Sequence, residues 1–520
     1  MTAYAGTSYD EVPYLAASFE NTHPATLAVT SLLRGLEPPP LAGTRVLELG
    51  CARGANLVPM AWSMPDARFV GVDLSPRQIA DAKEMAAAVG VGNVSFHAMD
   101  LREVDESFGA FDYVVAHGLF SWVPPDVQEA ILELCARRLA PDGIAYISYN
   151  TYPGWHVRKM FRDMMLYRVR GIADPATRLQ EARAFVRLLA DTAKPEEPVW
   201  AALAADRAAS VEKAADWYLL HDDLEAENNP VYFSEMVERA ARHGLQYVTE
   251  ERRGTADEVL PAGAWSALDR IAGDRIEREQ YYDFFRNATF RRSLFARAGR
   301  PLAAAPEPER LERCRLRSRV RPVDPSADPW TPGEETFAGE GGSALTTSDT
   351  RLRVLLHALY DAWPGTLDYG SASGVLAEAI RRSPGGGEPT RSGIAGLLHQ
   401  VLLAQLVSPY LVDPPVATKV PEMPVAAPVA RHQAPRQASV TNLFHQALEL
   451  LPLDRVVLPL LDGSRSAADV AAAVAEAVAS GRIAPTESGR PAGEEPGEME
   501  PAALANVSLQ RLVDGCFILR

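Results

Sequence analysis

Residues 45–149 alternate short apolar runs with helical patterns: strands are expected near 45–49, 68–72, 94–98, 112–116 and 143–149, with helices between them. Strands joined through helical crossovers pair in parallel, so the expected fold is an α/β, doubly wound sheet. Acids stand at the ends of the first three runs: Glu48 in VLELGCARG, Asp73 closing FVGVD and Asp100 closing VSFHAMD. Ligands of open parallel sheets bind in the crevice outside the carboxyl ends of the strands. One acid there commonly caps the following helix. Three in succession point to a ligand rich in hydroxyl and amino donors, such as a nucleoside cofactor.

The turn after the first strand narrows the choice. Dinucleotide sites use G-x-G-x-x-G, with the pyrophosphate at a helix N-terminus. Here the run is E-L-G-C-A-R-G, with Ala52 where a middle glycine would stand and the bulky cation Arg53 beside it. Glu48 would repel a pyrophosphate but suits a ligand carrying an ammonium and a sulfonium. Gly50 and Gly54 let the backbone come close to that ligand, because glycine adds no side chain and tolerates positive φ. The turn resembles the first motif of class I S-adenosylmethionine methyltransferases, whose sheet is Rossmann-like. The resemblance implies that Glu48, Gly50 and Gly54 bind the cofactor, that Asp73 grips the ribose with Leu74 beside it, and that Asp100 and Leu101 contact the adenine.

At 520 residues the chain needs more than one core. Its net charge of −16 and pI near 5.2 disfavour nucleic acid as a partner and favour a cationic substrate. Cys51, Cys135, Cys314 and Cys516 stand far apart, so no disulfide framework and no metal site is expected. No stretch approaches the ~20 apolar residues of a membrane span, and MTAYAGTSYDEVPY carries no basic-then-apolar signal. A soluble cytoplasmic protein is the expectation.

Residues 1–155 form the expected cofactor-binding core, including helices near 24–36, 76–89 and 125–139. Residues 156–215, rich in Ala, Arg and Leu, are expected as a helical insertion and a possible dimer contact. The 216–300 region offers a helix and strand (228–252) and a final antiparallel strand within 280–299, completing the sheet. Residues 301–345 read as a linker, 346–413 as a helical module, 414–439 as a Pro-rich linker and 440–520 as a last module. Helices in that last module are expected at 441–450, 454–462 and 466–480, with 482–501 as a mobile loop.

Methyl transfer from a sulfonium needs orientation and a deprotonated nucleophile rather than a triad. In YDEVPYLAASFENTHP (9–24), Tyr9 and Tyr14 can cover a sulfonium by cation–π attraction, and His23 can touch the cofactor's polar end. In HGLFSWVP (117–124), beyond the fourth strand, His117 and Trp122 are candidates to line the site. In YNTYPGWH (149–156), Asn150 and Tyr152 are the candidate catalytic pair, and Pro153-Gly154 turns the chain so that Trp155 reaches back. In 217–233, His221, Asn228 and Tyr232 are expected to complete the pocket wall, with Glu225 and Glu227 able to attract a cation.

These segments form one ordered set with HDDLEAENNPVYFSEMVERAARHGLQY and QYYDFFRNATFRRSL. The set resembles methyltransferases that carry a methyltransferase regulatory domain, here near 216–298, and is similar to the rickettsial outer-membrane-protein lysine methyltransferases. LPLLDGSR (458–465) is similar to part of that family's winged-helix-like C-terminal module. The resemblance implies methylation of protein lysines, a dimer-forming region, and a lysine pocket around Asn150, Tyr152 and Trp155. Two other readings stand beside it. One is a small-molecule methyltransferase for a natural product or sugar, since the fold does not fix the acceptor. The other is a non-catalytic S-adenosylmethionine-binding scaffold.

Overall fold

The computed structural model describes residues 17–251, 261–339, 343–383, 387–483 and 500–520. Seven strands form one sheet: β1 (Arg45–Leu49), β2 (Arg68–Asp73), β3 (Val94–Ala98), β4 (Phe111–Ala116), β5 (Leu139–Asn150), β6 (Leu245–Glu250) and β7 (Phe290–Arg297). Their order is β3-β2-β1-β4-β5-β7-β6. The first five pair in parallel, and β7 runs antiparallel between β5 and β6. The order reverses between β1 and β4, so the ligand crevice is expected at the ends of those two strands.

Side-chain alternation along β1 explains both faces. Val46 packs with Phe69, Tyr113, Ile144 and Tyr146 beneath helices Pro24–Leu32, Leu57–Ser63 and Pro76–Val89. Leu47 and Leu49 join Val114, Ala145, Ile147 and Phe295 against helices Pro125–Arg138 and Phe233–Arg242. Glu48 shares the parity of Val46 and is therefore driven into the first of these layers, where it is only 4% exposed.

The stretch expected as a helical insertion holds helices Gly154–Val169, Pro175–Thr192 and Pro198–Lys213. Among the described residues, no helix is long and apolar enough to cross a membrane.

The two expected linkers are structured. Leu311, Cys314, Leu316 and Phe337, from the 301–345 stretch, enter the core of the middle module with Leu355, Leu359 and Leu398. Short strands carry them, Arg315–Arg317 and Glu335–Ala338 among these. Few apolar anchors in a Pro- and Glu-rich segment suffice when each is fully buried. In 414–439, Val416, Ala426 and Ala430 join the C-terminal core, and Pro428 opens helix Pro428–Gln433 at a position that needs no N–H. The helix expected at 441–450 is instead a hairpin: Ser439–Thr441 pairs with Ala447–Glu449, and His445 turns the chain at φ 61°. Most of the expected 482–501 loop lies outside the described residues.

Candidate functional site

The turn between β1 and helix Leu57–Ser63 is left-handed at Gly50, Ala52 and Gly54, with φ of 71°, 46° and 72°. A Cβ on Gly54 would lie 2.8 Å from Phe96 Cζ and 3.0 Å from Ala82 Cβ, so glycine is required there by space as well as by φ. Ala52 takes its unusual backbone with help from the next strand: its N–H donates to Asp73 Oδ2 at 2.9 Å. Asp73 Oδ1 accepts from Ser75 N at 2.9 Å. These two backbone donors, one on each carboxylate oxygen, hold Asp73 in one orientation at the end of β2. Arg53 turns away to pair with Asp81 at 3.0 Å, and Cys51 is a buried packing residue.

Asn56 Nδ2 donates to Glu48 Oε1 at 2.7 Å. Among the described residues, Glu48 Oε2 finds no hydrogen-bond partner. Burial pushes this acid up to about 7, the Asn56 amide opposes that, and the charge of Asp73 adds to it. A buried carboxylate oxygen without a donor suits a ligand ammonium, and the left-handed turn suits close approach of the same ligand. These residues fit S-adenosylmethionine.

The remaining cofactor candidates are placed differently. Leu74 is 49% exposed just beyond β2. Asp100 is gripped by Arg102, whose guanidinium donates to both oxygens at 2.6–3.1 Å and holds the carboxyl below its ordinary range. Leu101, next to it, opens a short 3-10 turn. His117 is half-buried against Phe19 at 4.1 Å, and Tyr146 Oη lies 3.0 Å from its Nδ1. Burial, with the charge of Arg292, pushes it down to about 3, so it is a neutral wall. His23 uses Nδ1 to cap helix Pro24–Leu32, accepting from Ala25 N at 3.2 Å. It lines a cavity of about 430 Å³ between the core and the C-terminal modules, together with Trp62, Tyr410, Phe444 and His445. Tyr9 and Tyr14 lie outside the described residues.

At the end of β5, Asn150 is buried by the loop that returns the chain to the sheet. Its N–H donates to Ser121 Oγ at 2.8 Å, and its C=O accepts from Val231 N at 3.2 Å. Its Nδ2 has no partner among the described residues, nor do the amide atoms of Asn228. Tyr152 stacks on His156 at 4.0 Å and lies 5.2 Å from the Tyr232 ring, while Tyr232 Oη meets His156 Nε2 at 3.0 Å. Burial and the neighbouring Tyr232 raise the Tyr152 phenol, which stays protonated. Gly154 allows this turn: a Cβ there would meet Asn287 O at 2.5 Å.

Two of the pocket candidates are buried. Trp155 is 1% exposed, with the Arg158 guanidinium 4.6 Å over its ring and Trp122 edge-on at 6.2 Å. Its ring thus packs between Arg158 and the half-buried Trp122. His221 is also 1% exposed, on the π-turn Leu219–Asp223, with Glu225 Oε2 3.9 Å from its Nδ1. Glu227 binds Asn229 Nδ2 at 2.9 Å, and Glu225 hydrogen-bonds the following backbone N–H at 2.9 Å. Sequence reasoning missed Asn56, Thr22, Ser121 and Tyr146. Polar residues inside apolar patterns were the available signal, but nothing local to them names their partners.

Three family descriptions match the chain: "Methyltransferase domain" over residues 46–143, "Predicted methyltransferase regulatory domain" over 215–297, and "PKMT, C-terminal winged helix domain" over 422–516. An uncharacterized protein of Rickettsia prowazekii is 39% identical over 287 residues, 55% of this chain and 52% of that protein. The chain thus spans about half the length of that curated relative. A second uncharacterized protein of the same organism is 37% identical over 235 residues, 45% of this chain and 94% of its own length. Among solved structures, PKMT2 from Rickettsia typhi in complex with AdoHcy matches with a TM-score of 0.84 and 26% identity, over 97% of this chain and 100% of that one. The magnesium-protoporphyrin O-methyltransferase of Rhodobacter capsulatus is 39% identical over 101 residues, 19% of this chain and 43% of that enzyme.

Proposed function

Since the chain belongs to the class I S-adenosylmethionine methyltransferases that carry a methyltransferase regulatory domain, we propose that it methylates lysine side chains of a protein substrate. The observation that carries this acceptor is the likeness to PKMT2 over 97% of the chain, regulatory region and winged helix included. The sequence match to the Rhodobacter capsulatus enzyme spans 19% of it.

When bound, S-adenosylmethionine supplies a methyl carbon open to in-line displacement by an amine lone pair. Glu48 holds the ligand's ammonium, Asp73 holds its ribose, and the Gly50–Gly54 turn brings the backbone against it. Free lysine near pH 7 is neutral in only about one molecule in 2,500, so the pocket must favour the neutral amine. An amine laid between the half-buried rings of Tyr152 and Tyr232 loses part of its water, which lowers an ammonium's pKa. The Tyr152 hydroxyl oxygen and the unpartnered Oδ1 of Asn228 then accept from the amine's N–H groups and aim it, leaving its lone pair for the methyl carbon. Phe284 lies 6.1 Å from Tyr232, and Phe284, Phe285 and Phe290 are 46%, 49% and 39% exposed. An apolar ledge of this kind suits a docked polypeptide.

Tyr152→Phe is expected to slow transfer roughly ten-fold, the worth of one aimed hydrogen bond, while calorimetry shows little change in cofactor affinity. A variant that loses affinity and keeps turnover would remove Tyr152 from the acceptor pocket. The acceptor itself is tested with methyl-labelled S-adenosylmethionine and lysate of the source organism. Label recovered as methyl-lysine after hydrolysis supports the reading; label confined to small molecules replaces it with the small-molecule alternative.

We place the enzyme in a reducing cytoplasm, where four buried, unbridged cysteines belong. The insertion is assigned to homodimer formation, because Tyr167, Leu188 and Val199 are 65%, 56% and 74% exposed on it. Leu188→Glu with Val199→Glu is then expected to yield a monomer in sedimentation equilibrium, and an unchanged mass rejects the assignment.

A further inference from the structure

Asn56, the partner of Glu48, is itself held from the far end of the chain. His445, on the hairpin turn of the C-terminal module, is 5% exposed, and its Nε2 lies 2.8 Å from Asn56 Oδ1. Phe19 N donates to the same oxygen at 2.9 Å. On the other side, Asn56 Nδ2 donates to Thr22 Oγ1 at 2.9 Å and to Glu48 Oε1 at 2.7 Å. With N–H donors on its oxygen, the amide can present only its NH₂ to Glu48. Burial, together with the neighbouring His23, keeps His445 neutral, so it has a single N–H to give. Gln446 extends the contact: its Nε2 donates to Glu20 Oε2 at 2.9 Å, and Tyr410 Oη donates to Glu20 Oε1 at 2.7 Å.

We propose that His445 is a positioning residue of the cofactor site: docking of the C-terminal module sets the Asn56 amide, which orients Glu48 and leaves its second oxygen free for the ligand's ammonium. The proposal rests on the S-adenosylmethionine reading of that site. The winged-helix module thereby becomes part of the cofactor-binding machinery of the core rather than an appended unit.

Two substitutions separate the hydrogen bond from the fold. His445→Asn tolerates the left-handed backbone but is too short to reach Asn56; His445→Gln carries an amide N–H at about the reach of the imidazole Nε2. Binding of S-adenosylmethionine to the full chain is measured by calorimetry. His445→Asn is expected to raise Kd about ten-fold, and His445→Gln to restore it to within three-fold of the parent. In the Asn56→Ala background, His445→Asn is expected to have no further effect. Parental affinity in His445→Asn overturns the proposal, as does equal loss in the Asn and Gln variants or an additive effect in the double variant. A parent chain that binds no S-adenosylmethionine refutes instead the reading on which the proposal stands.

Discussion

Glu48→Gln is expected to weaken S-adenosylmethionine binding on the order of 100-fold, as loss of a buried charge-assisted hydrogen bond does, while stabilising the unliganded protein above neutral pH. Both effects follow from burial of the acid, which pushes it up from an ordinary 4.5 to about 7. Between those values the folded protein holds a proton that the unfolded chain has released, so stability falls as pH rises through the window. Above it, the ionised acid costs about 3 kcal/mol relative to a carboxylate in water. A ligand ammonium against Glu48 Oε2 offsets that cost; glutamine removes it but offers the ligand no charge. Calorimetry between pH 6 and 8.5 is expected to show parental affinity rising through pH 7 and a variant nearly independent of pH. Thermal unfolding at pH 8 without ligand is expected to favour the variant. Equal affinity in the two proteins would mean that the ammonium binds elsewhere.

The part of this site that sequence made legible is the part written in local pattern. Period-two alternation along β1 places Glu48 on a covered face, and the glycines of the turn announce a backbone that other residues resist. Asp73 is legible because an acid at a strand end has few other places to go. The support around these residues is not local. Asn56 reads as one polar residue at a helix start, and its meaning depends on Thr22 and His445, the latter 389 residues away. Burial of Trp155 was illegible for the same reason, since an aromatic residue after a turn can face a pocket or a core. Its neighbours Arg158 and Trp122, not its place in the sequence, decide it. The segments 301–345 and 414–439 misled through composition. Proline and glutamate in quantity normally mean too little apolar surface to order a chain, yet Leu311, Leu316 and Phe337 are each no more than 1% exposed.

Arg291→Ala is expected to cost 3–5 kcal/mol, about what breaking a buried ion pair costs by stranding its partners. The Arg291 side chain is fully buried on β7, and its guanidinium meets Asp283 at 2.8 and 2.9 Å, Glu279 at 3.2 Å and Glu250 at 3.1 Å. Asp283 is itself fully buried, so truncation leaves a carboxylate with neither water nor its main counter-charge. The consequence should extend beyond stability. Arg291 faces Tyr149 across the β5–β7 ladder, Glu250 accepts from Ser293 Oγ, and Ser293 lies 3.0 Å from Tyr149 Oη. This network braces the strand end that carries Asn150 and Tyr152, whereas Glu48 and Asp73 hang from β1 and β2. Denaturant unfolding is therefore expected to show the loss, and the surviving folded fraction to bind cofactor better than it transfers methyl groups. Arg291→Lys should recover only part of the stability, because an ammonium cannot match the two-pronged contact with Asp283. A loss below about 1 kcal/mol in the alanine variant would show that water reaches the cluster and that the carboxylates are not stranded.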